Sequence, residues 1–353
     1  MTNFQEVFTL SAGPTMATHR TLAALGQPIV YHYDPLFLET FRRTQAKAAE
    51  VFRTKNDVLL MQGEAIVALE GAARSLTRPG MQVLNLVQGV FGKGMGYWLQ
   101  SFGAELHEIE VAYNEAVSPE AVEAYLEAHP GIELVTVVHS ETPSGTVTDC
   151  GAIGPIAKRH GALTLVDAVS SIGGLEFDTD GWGLDVVVTG AQKCLGGPPG
   201  IGIVSVSEAA WERMSGNPAS PRSSYVSLLD WKEKWLEGGA FPFTPSVSDV
   251  HGVESVLDQV LEEGLDRAIA RHASAAAATR AGVTAMGLEL WAASETIAAN
   301  CVTSVRLPDD LDHLVVRAHV RERYGVMLSS GQGAGNLMRL AHMGPSASGM
   351  YPI

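Results

Sequence analysis

Cysteine is scarce in this chain: three in 353 residues, at positions 150, 194 and 301. Their number is odd and their spacing suits neither a metal site nor a disulfide framework, so a reducing cytoplasm is expected. Basic residues are also few, 24 Lys and Arg against 39 Asp and Glu, for a net charge of −15. So acidic a whole is repelled by nucleic acid and by anionic membrane surfaces, and neither is expected as a partner. Aromatic residues make up only 7%. No apolar run approaches the roughly 20 residues that a membrane span needs. The first residues, Met-Thr-Asn-Phe-Gln-Glu, lack the basic and apolar stretches of a signal peptide. Internal repeats and low-complexity tracts are absent as well.

What is present is a large apolar fraction, 46%, enough for a substantial core. β-branched runs at 83–87, 134–138, 163–166, 186–188 and 201–206 alternate with helical patterns. Continuous apolar strands between helices predict a mostly parallel sheet covered on both faces. From residue 248 the texture changes to long helical periodicity, alanine-rich over 267–284, and then to shorter strands near 302–306. The expected architecture is α/β: a large unit over 16–250 and a smaller α+β unit over 251–353, with residues 1–15 packing near the latter.

The most informative stretch is Gly190-Ala191-Gln192-Lys193-Cys194-Leu195-Gly196-Gly197-Pro198-Pro199-Gly200. It places one lysine where an apolar strand runs into a glycine-proline turn. An amine must be desolvated to be nucleophilic near neutrality, so this position suits a Schiff-base lysine, whereas a lysine at a loop mouth merely snorkels to water. Upstream, Leu163-Thr164-Leu165-Val166-Asp167 ends a buried strand on an acid. Alone, Asp167 reads as well as a helix cap. Paired with Lys193, it suits the carboxylate that keeps a pyridine nitrogen protonated, so that the ring accepts electrons from a carbanion. Cys194 reads as a small buried filler.

These segments, with residues 10–15, 141–145 and 338–344, resemble the class V aminotransferases of fold type I over nearly the whole chain. The resemblance implies a fold type I architecture, with Lys193 as the lysine that carries the ring and Asp167 as its nitrogen partner. It further implies that Phe91 stacks on the ring, that Thr142 lies near the ring hydroxyl and that Arg339 grips the substrate carboxylate. In this family the stretch matching Phe241-Pro242-Phe243-Thr244-Pro245 enters the neighbouring subunit's site, so a homodimer or a dimer of dimers is expected.

One departure concerns phosphate. The family holds a phosphate with a Ser/Gly/Thr-rich turn at a helix start, and this chain reads Met61-Gln62-Gly63-Glu64-Ala65-Ile66. At about 4 Å, each unit of like charge costs about 4 kcal/mol at an effective dielectric near 20. Glu64 and Phe241 therefore suggest a ring bearing a hydroxymethyl group. Residues 31–35, including Tyr31, and residues 63–64, 92–98, 241–248, 280–288 and 342–345 are similar to the branch of the class that transfers the amino group of pyridoxamine to pyruvate in vitamin B6 degradation. The expected binding set is then Glu64, Phe91, Thr142, Arg339, Tyr31, Phe241 and Thr244, around catalytic Lys193 and Asp167. Pyridoxamine and pyruvate, or another 2-oxo acid, are the expected substrates. No cofactor is expected beyond the pyridoxal or pyridoxamine substrate itself. The alternative is a pyridoxal phosphate-dependent alanine– or serine–glyoxylate enzyme, and a further one a non-catalytic pyridoxal-binding module. Gln332 falls where that branch carries a second arginine, which leaves the oxo acid open. The chain also stops at Ile353, where the family continues into a final helix.

Overall fold

A computed structural model describes residues 8–347. The expectations about a signal peptide at residues 1–6 and about the end of the chain lie outside the described residues.

The strands in chain order are β1 (Phe8–Thr9), β2 (Asp57–Gln62), β3 (Gln82–Val87), β4 (Glu105–Glu110), β5 (Leu134–Val138), β6 (Ser140–Glu141), β7 (Thr146–Val147), β8 (Leu163–Asp167), β9 (Val186–Gly190) and β10 (Ile201–Val206). After them come β11 (Val302–Arg306), β12 (Val326–Met327), β13 (Ser329–Ser330) and β14 (Leu337–Ala341). A seven-stranded sheet runs β2-β10-β9-β8-β5-β3-β4. β10 pairs antiparallel with both β2 and β9, and the remaining pairings are parallel. The mostly parallel α/β architecture is thus present, and β5, β9 and β10 are buried along their whole length, in keeping with their nearly continuous apolar runs.

The sequence reading passed over two strands of this sheet. β4 reads Glu-Leu-His-Glu-Ile-Glu and forms one edge of the sheet, where charge blunts unwanted pairing. β2 forms the other edge and lacks the β-branched run that marked the central strands.

Helices α1 (His19–Leu25), α2 (Pro35–Phe52), α3 (Ala65–Leu76), α4 (Val90–Ser101), α5 (Pro119–Ala128), α6 (Cys150–Arg159) and α7 (Glu208–Ser215) pack around the sheet. A short helix α8 (Leu228–Asp230) leads into a π-helical turn (Trp231–Glu237), and then come α9 (Val247–Glu263), α10 (Leu265–Ala285) and α11 (His313–Tyr324). Residue 250 lies inside α9, which packs on α1 and α2. One buried cluster extends from Phe37 to Ala268 through the central sheet and its helices. A second, around Ala12, Cys194, Cys301 and Met343, joins the lysine turn to the three-stranded sheet β11-β14-β13. No helix among the described residues is long and apolar enough to cross a membrane.

Candidate active site

Five strands that run the same way, β2, β3, β5, β8 and β9, each deliver one chemical group to the same end of the sheet. β8 ends on Asp167, and β9 runs into the turn that carries Lys193. β2 passes through Gly63 to Glu64, the N-cap of α3. β3 leads into α4 with Phe91 in its first turn, and β5 leads to the β6–β7 hairpin, whose turn holds Thr142. The carboxyl ends of parallel strands are where α/β sheets gather ligand contacts. Glu64, Phe91, Ser140, Thr142, Asp167 and Lys193 line one cavity of about 100 Å³ here, with Ile66, Leu69, Val138, Val169 and Ser170.

The charges in this cavity are shaped by burial. Burial raises the Asp167 carboxyl to about 6, while the Val169 N–H, donating to Oδ1 at 2.9 Å, and Lys193 oppose the shift. Burial lowers the Lys193 amine below its ordinary value, and the Arg339 guanidinium lowers it further. A neutral amine is the reactive form of a Schiff-base lysine. Lys193 Nζ donates to the Ala12 carbonyl. That contact needs Gly13, because a Cβ there would lie 2.5 Å from Lys193 Cδ, and its φ of +99° is one that L side chains rarely adopt.

Glu64 accepts from Ile66 N–H at 2.9 Å and from Gln192 Nε2 at 2.6 Å. A carboxylate at a helix N-terminus is favoured by the dipole and by the unpaired amides of the first turn. Arg339 lies in β14, 4% exposed, with its ionisation lowered to about 10, mainly by burial. Its Nη2 donates to Gln332 Oε1 at 3.1 Å, and its Nε has no hydrogen-bond partner among the described residues. Arg339 is electrostatically coupled to Lys193 but does not line the small cavity. Tyr31, Phe241 and Thr244 are not among the lining residues either. Tyr31 is 69% exposed, and Thr244 is exposed as well. Phe241 is buried in its own chain, stacked on Trp235 at 4.2 Å.

Three contributors were missed in the sequence. Gln192 ties the lysine turn to Glu64, Ala12 holds the amine, and Glu141 reaches the start of α4. Gln192 and Glu141 stood inside quoted motifs, but nothing local showed where their side chains would go. Ala12 contributes a backbone carbonyl, for which sequence carries no signal.

The donor set fits the ring of a pyridoxal group. Asp167 is a buried carboxyl raised by burial with no cation hydrogen-bonded to it among the described residues, and a protonated pyridine nitrogen supplies both donor and counter-charge. Burial shifts the Lys193 amine toward its reactive neutral form, and Phe91, 36% exposed, offers a ring face at the mouth.

The family model for class V aminotransferases matches residues 8–347. A pyridoxamine–pyruvate transaminase from Mesorhizobium japonicum is 48% identical, covering 98% of this chain and 89% of its own. The crystal structure of pyridoxamine-pyruvate aminotransferase from Mesorhizobium loti superposes with a TM-score of 0.95 at 47% identity, covering 98% of this chain and 89% of that one. An alanine–glyoxylate aminotransferase from Nostoc sp. superposes at 0.94 with 26% identity, over 98% and 92% of the two chains. These matches overturn the expectation that no cofactor is used beyond the substrate. Class V aminotransferases depend on pyridoxal phosphate, and the match to that family extends through the described chain. The physical weakness of the expectation lies in Glu64, whose carboxylate is engaged by its own helix and by Gln192 and so is a poor argument against a cofactor anion. The fold type I architecture, the lysine and aspartate at adjacent strand ends and the family match together establish that this chain belongs to the class V aminotransferases.

Proposed function

We propose that this transaminase moves the amino group of pyridoxamine to a 2-oxo acid, pyruvate foremost, giving pyridoxal and L-alanine. The observation that carries the reading is the Glu64 carboxylate on the same cavity as Lys193 and Asp167, where it offers an acceptor to the hydroxymethyl group of pyridoxamine. The relative from Mesorhizobium japonicum, named for this reaction, supports it.

One pyridoxal-type ring at a time would fill this cavity, that of pyridoxal phosphate in the family and that of pyridoxamine when it is the donor, and it would withdraw electrons from the bond to be broken. Asp167 holds the ring nitrogen protonated. Lys193, whose amine is shifted toward its neutral form by burial, takes the proton from C4′ and delivers it to the alanine α-carbon, as general base and then general acid. Arg339 binds the carboxylate of the oxo acid, for which a guanidinium fork is suited. Phe91 stacks on the ring, and Thr142 meets its hydroxyl.

The proposal includes a homodimer or a dimer of dimers. Ile29, Tyr31 and Leu36, close together in sequence, are 80%, 69% and 75% exposed and are available for a second copy to cover. Exposed Tyr31 and Thr244 are then available to that copy's site, while Phe241 anchors the segment by packing on Trp235. Division into units at 16–250 and 251–353, action in vitamin B6 breakdown and residence in a reducing compartment belong to the same proposal. The three buried cysteines without disulfides agree with the last of these.

Incubation with pyridoxamine and pyruvate should yield pyridoxal and alanine in equal amounts by chromatography. Transfer from alanine to glyoxylate with none from pyridoxamine favours the second reading, a glyoxylate aminotransferase, which the Nostoc relative supports.

A further inference from the structure

Glu141 is fully buried at the end of β6, and the mechanism above leaves it unused. Its Oε1 accepts from the Phe91 N–H at 2.9 Å and its Oε2 from the Gly92 N–H at 3.0 Å. These are first-turn amides of α4, which have no partner within their own helix. The carboxylate fills space that a glycine leaves open: a Cβ at Gly89 would lie 2.0 Å from Glu141 Cγ and 2.4 Å from Cδ. The backbone of Glu141 faces the other way. Its carbonyl accepts from Gly145 N–H at 2.8 Å and from Ser144 Oγ at 3.2 Å, which closes the turn containing Thr142. Phe91 and Thr142 both line the Lys193 cavity.

No ion pair to Glu141 occurs among the described residues. Burial raises its carboxyl to about 7, against the pull of the two amides and of Arg339 and with the push of Asp167. A serine or threonine caps a helix without burying a charge. What the longer carboxylate adds is reach, from one wall of the cavity to the other.

We propose that Glu141 is a positioning residue, which spans from the Thr142 turn to the first-turn amides of α4 and so fixes the spacing between Thr142 and Phe91 across the ring slot. The proposal rests on the reading above only in that the slot receives a pyridoxal-type ring.

The test uses the full chain with pyridoxal phosphate and pyridoxal as probes, followed by visible absorbance and induced circular dichroism. Glu141→Gln keeps one acceptor and turns a donor toward the other amide. Ring dissociation constants should rise roughly ten-fold or more, as for loss of a charge-assisted hydrogen bond. The induced dichroism should fall, and KM for the amino donor should rise while KM for the oxo acid holds. Crossing this variant with Phe91→Leu should give strongly non-additive losses in ring affinity, because both act through one aromatic ring. Unchanged affinity and dichroism, or additive losses, overturn the proposal. Should Glu141→Gln fail to fold, hydrogen exchange in the wild type decides. The amides of Phe91 and Gly92 should be as protected as the interior of α4, and fast exchange there overturns the proposal. A wild type that binds the ring but does not accept pyridoxamine as donor overturns the function proposed above and leaves Glu141 to be judged on the binding data.

Discussion

Gln192 donates its side-chain amide to Glu64 Oε1 at 2.6 Å, linking the residue before the lysine to the cap of α3, 128 positions earlier in the chain. Glu64 also accepts from its own helix, at Ile66 N–H. One carboxylate thus holds together two walls of the cavity, and it remains exposed at the rim where a ring substituent arrives. A short polar residue can keep the cap but cannot reach Gln192.

Glu64→Ser should therefore preserve the fold, since serine caps helices about as well as acidic residues. It should weaken pyridoxamine as donor and improve pyridoxamine phosphate relative to it. The measurement is the ratio of kcat/KM for the two amines, because discrimination is a difference between transition-state energies. A ratio that does not change with the substitution assigns Glu64 to the helix alone.

Lys193→Ala should reduce transamination by about a thousand-fold or more, as expected when a nucleophilic base is removed. Thermal stability should hold or rise, because a buried amine with a lowered ionisation is unfavourable to the fold. Paired assays of turnover and thermal melting check this. Turnover near that of wild type removes Lys193 from the chemistry.

Arg339→Ala should raise KM for the 2-oxo acid roughly ten- to a hundred-fold, the usual cost of losing a charge-assisted contact, and barely alter KM for pyridoxamine. Gln332→Leu leaves Arg339 Nη2 without its acceptor and should produce a smaller loss in the same direction. Equal losses toward both substrates mark the pair as structural.

Acid should destabilise the fold through its buried imidazoles. Burial lowers His139 and His272 to about 4 and His342 to about 3. An unfolded histidine titrates near 6.5. Between that value and about 4 the unfolded chain binds protons that the native state refuses, so these groups withdraw stability as pH falls. Asp167 and Glu141 act oppositely over much of the same range, since their raised values favour the native state as pH falls and that gain is lost as pH rises. A variant isolates the histidine contribution. His139 packs edge-on against Phe177 and Trp182, and its Nδ1 has no hydrogen-bond partner among the described residues. His139→Phe should flatten the acid arm of the stability curve, by up to roughly 3 kcal/mol between pH 7 and 4. Denaturant titrations at several pH values measure the slope, and identical slopes in both proteins exclude His139 from it.

The mostly parallel sheet was legible in the sequence, because a strand buried on both faces needs a nearly continuous apolar run, as at 134–138 and 186–188. The sequence also determined which lysine and which acid close adjacent strands, since each is a local pattern of apolar run and terminal polar group. What these groups touch depends on the assembled fold. Lys193 meets the carbonyl of Ala12 across 181 positions, and Glu141 reaches the amides of Phe91 and Gly92 from about 50 positions away. The edge strands β2 and β4 likewise became strands through pairing with a neighbour, β4 despite polar residues at 105, 107, 108 and 110. Period and composition act along a few neighbouring residues. Side-chain contacts and edge pairing depend on how distant segments are brought together, so they become definite only when the whole sheet has assembled.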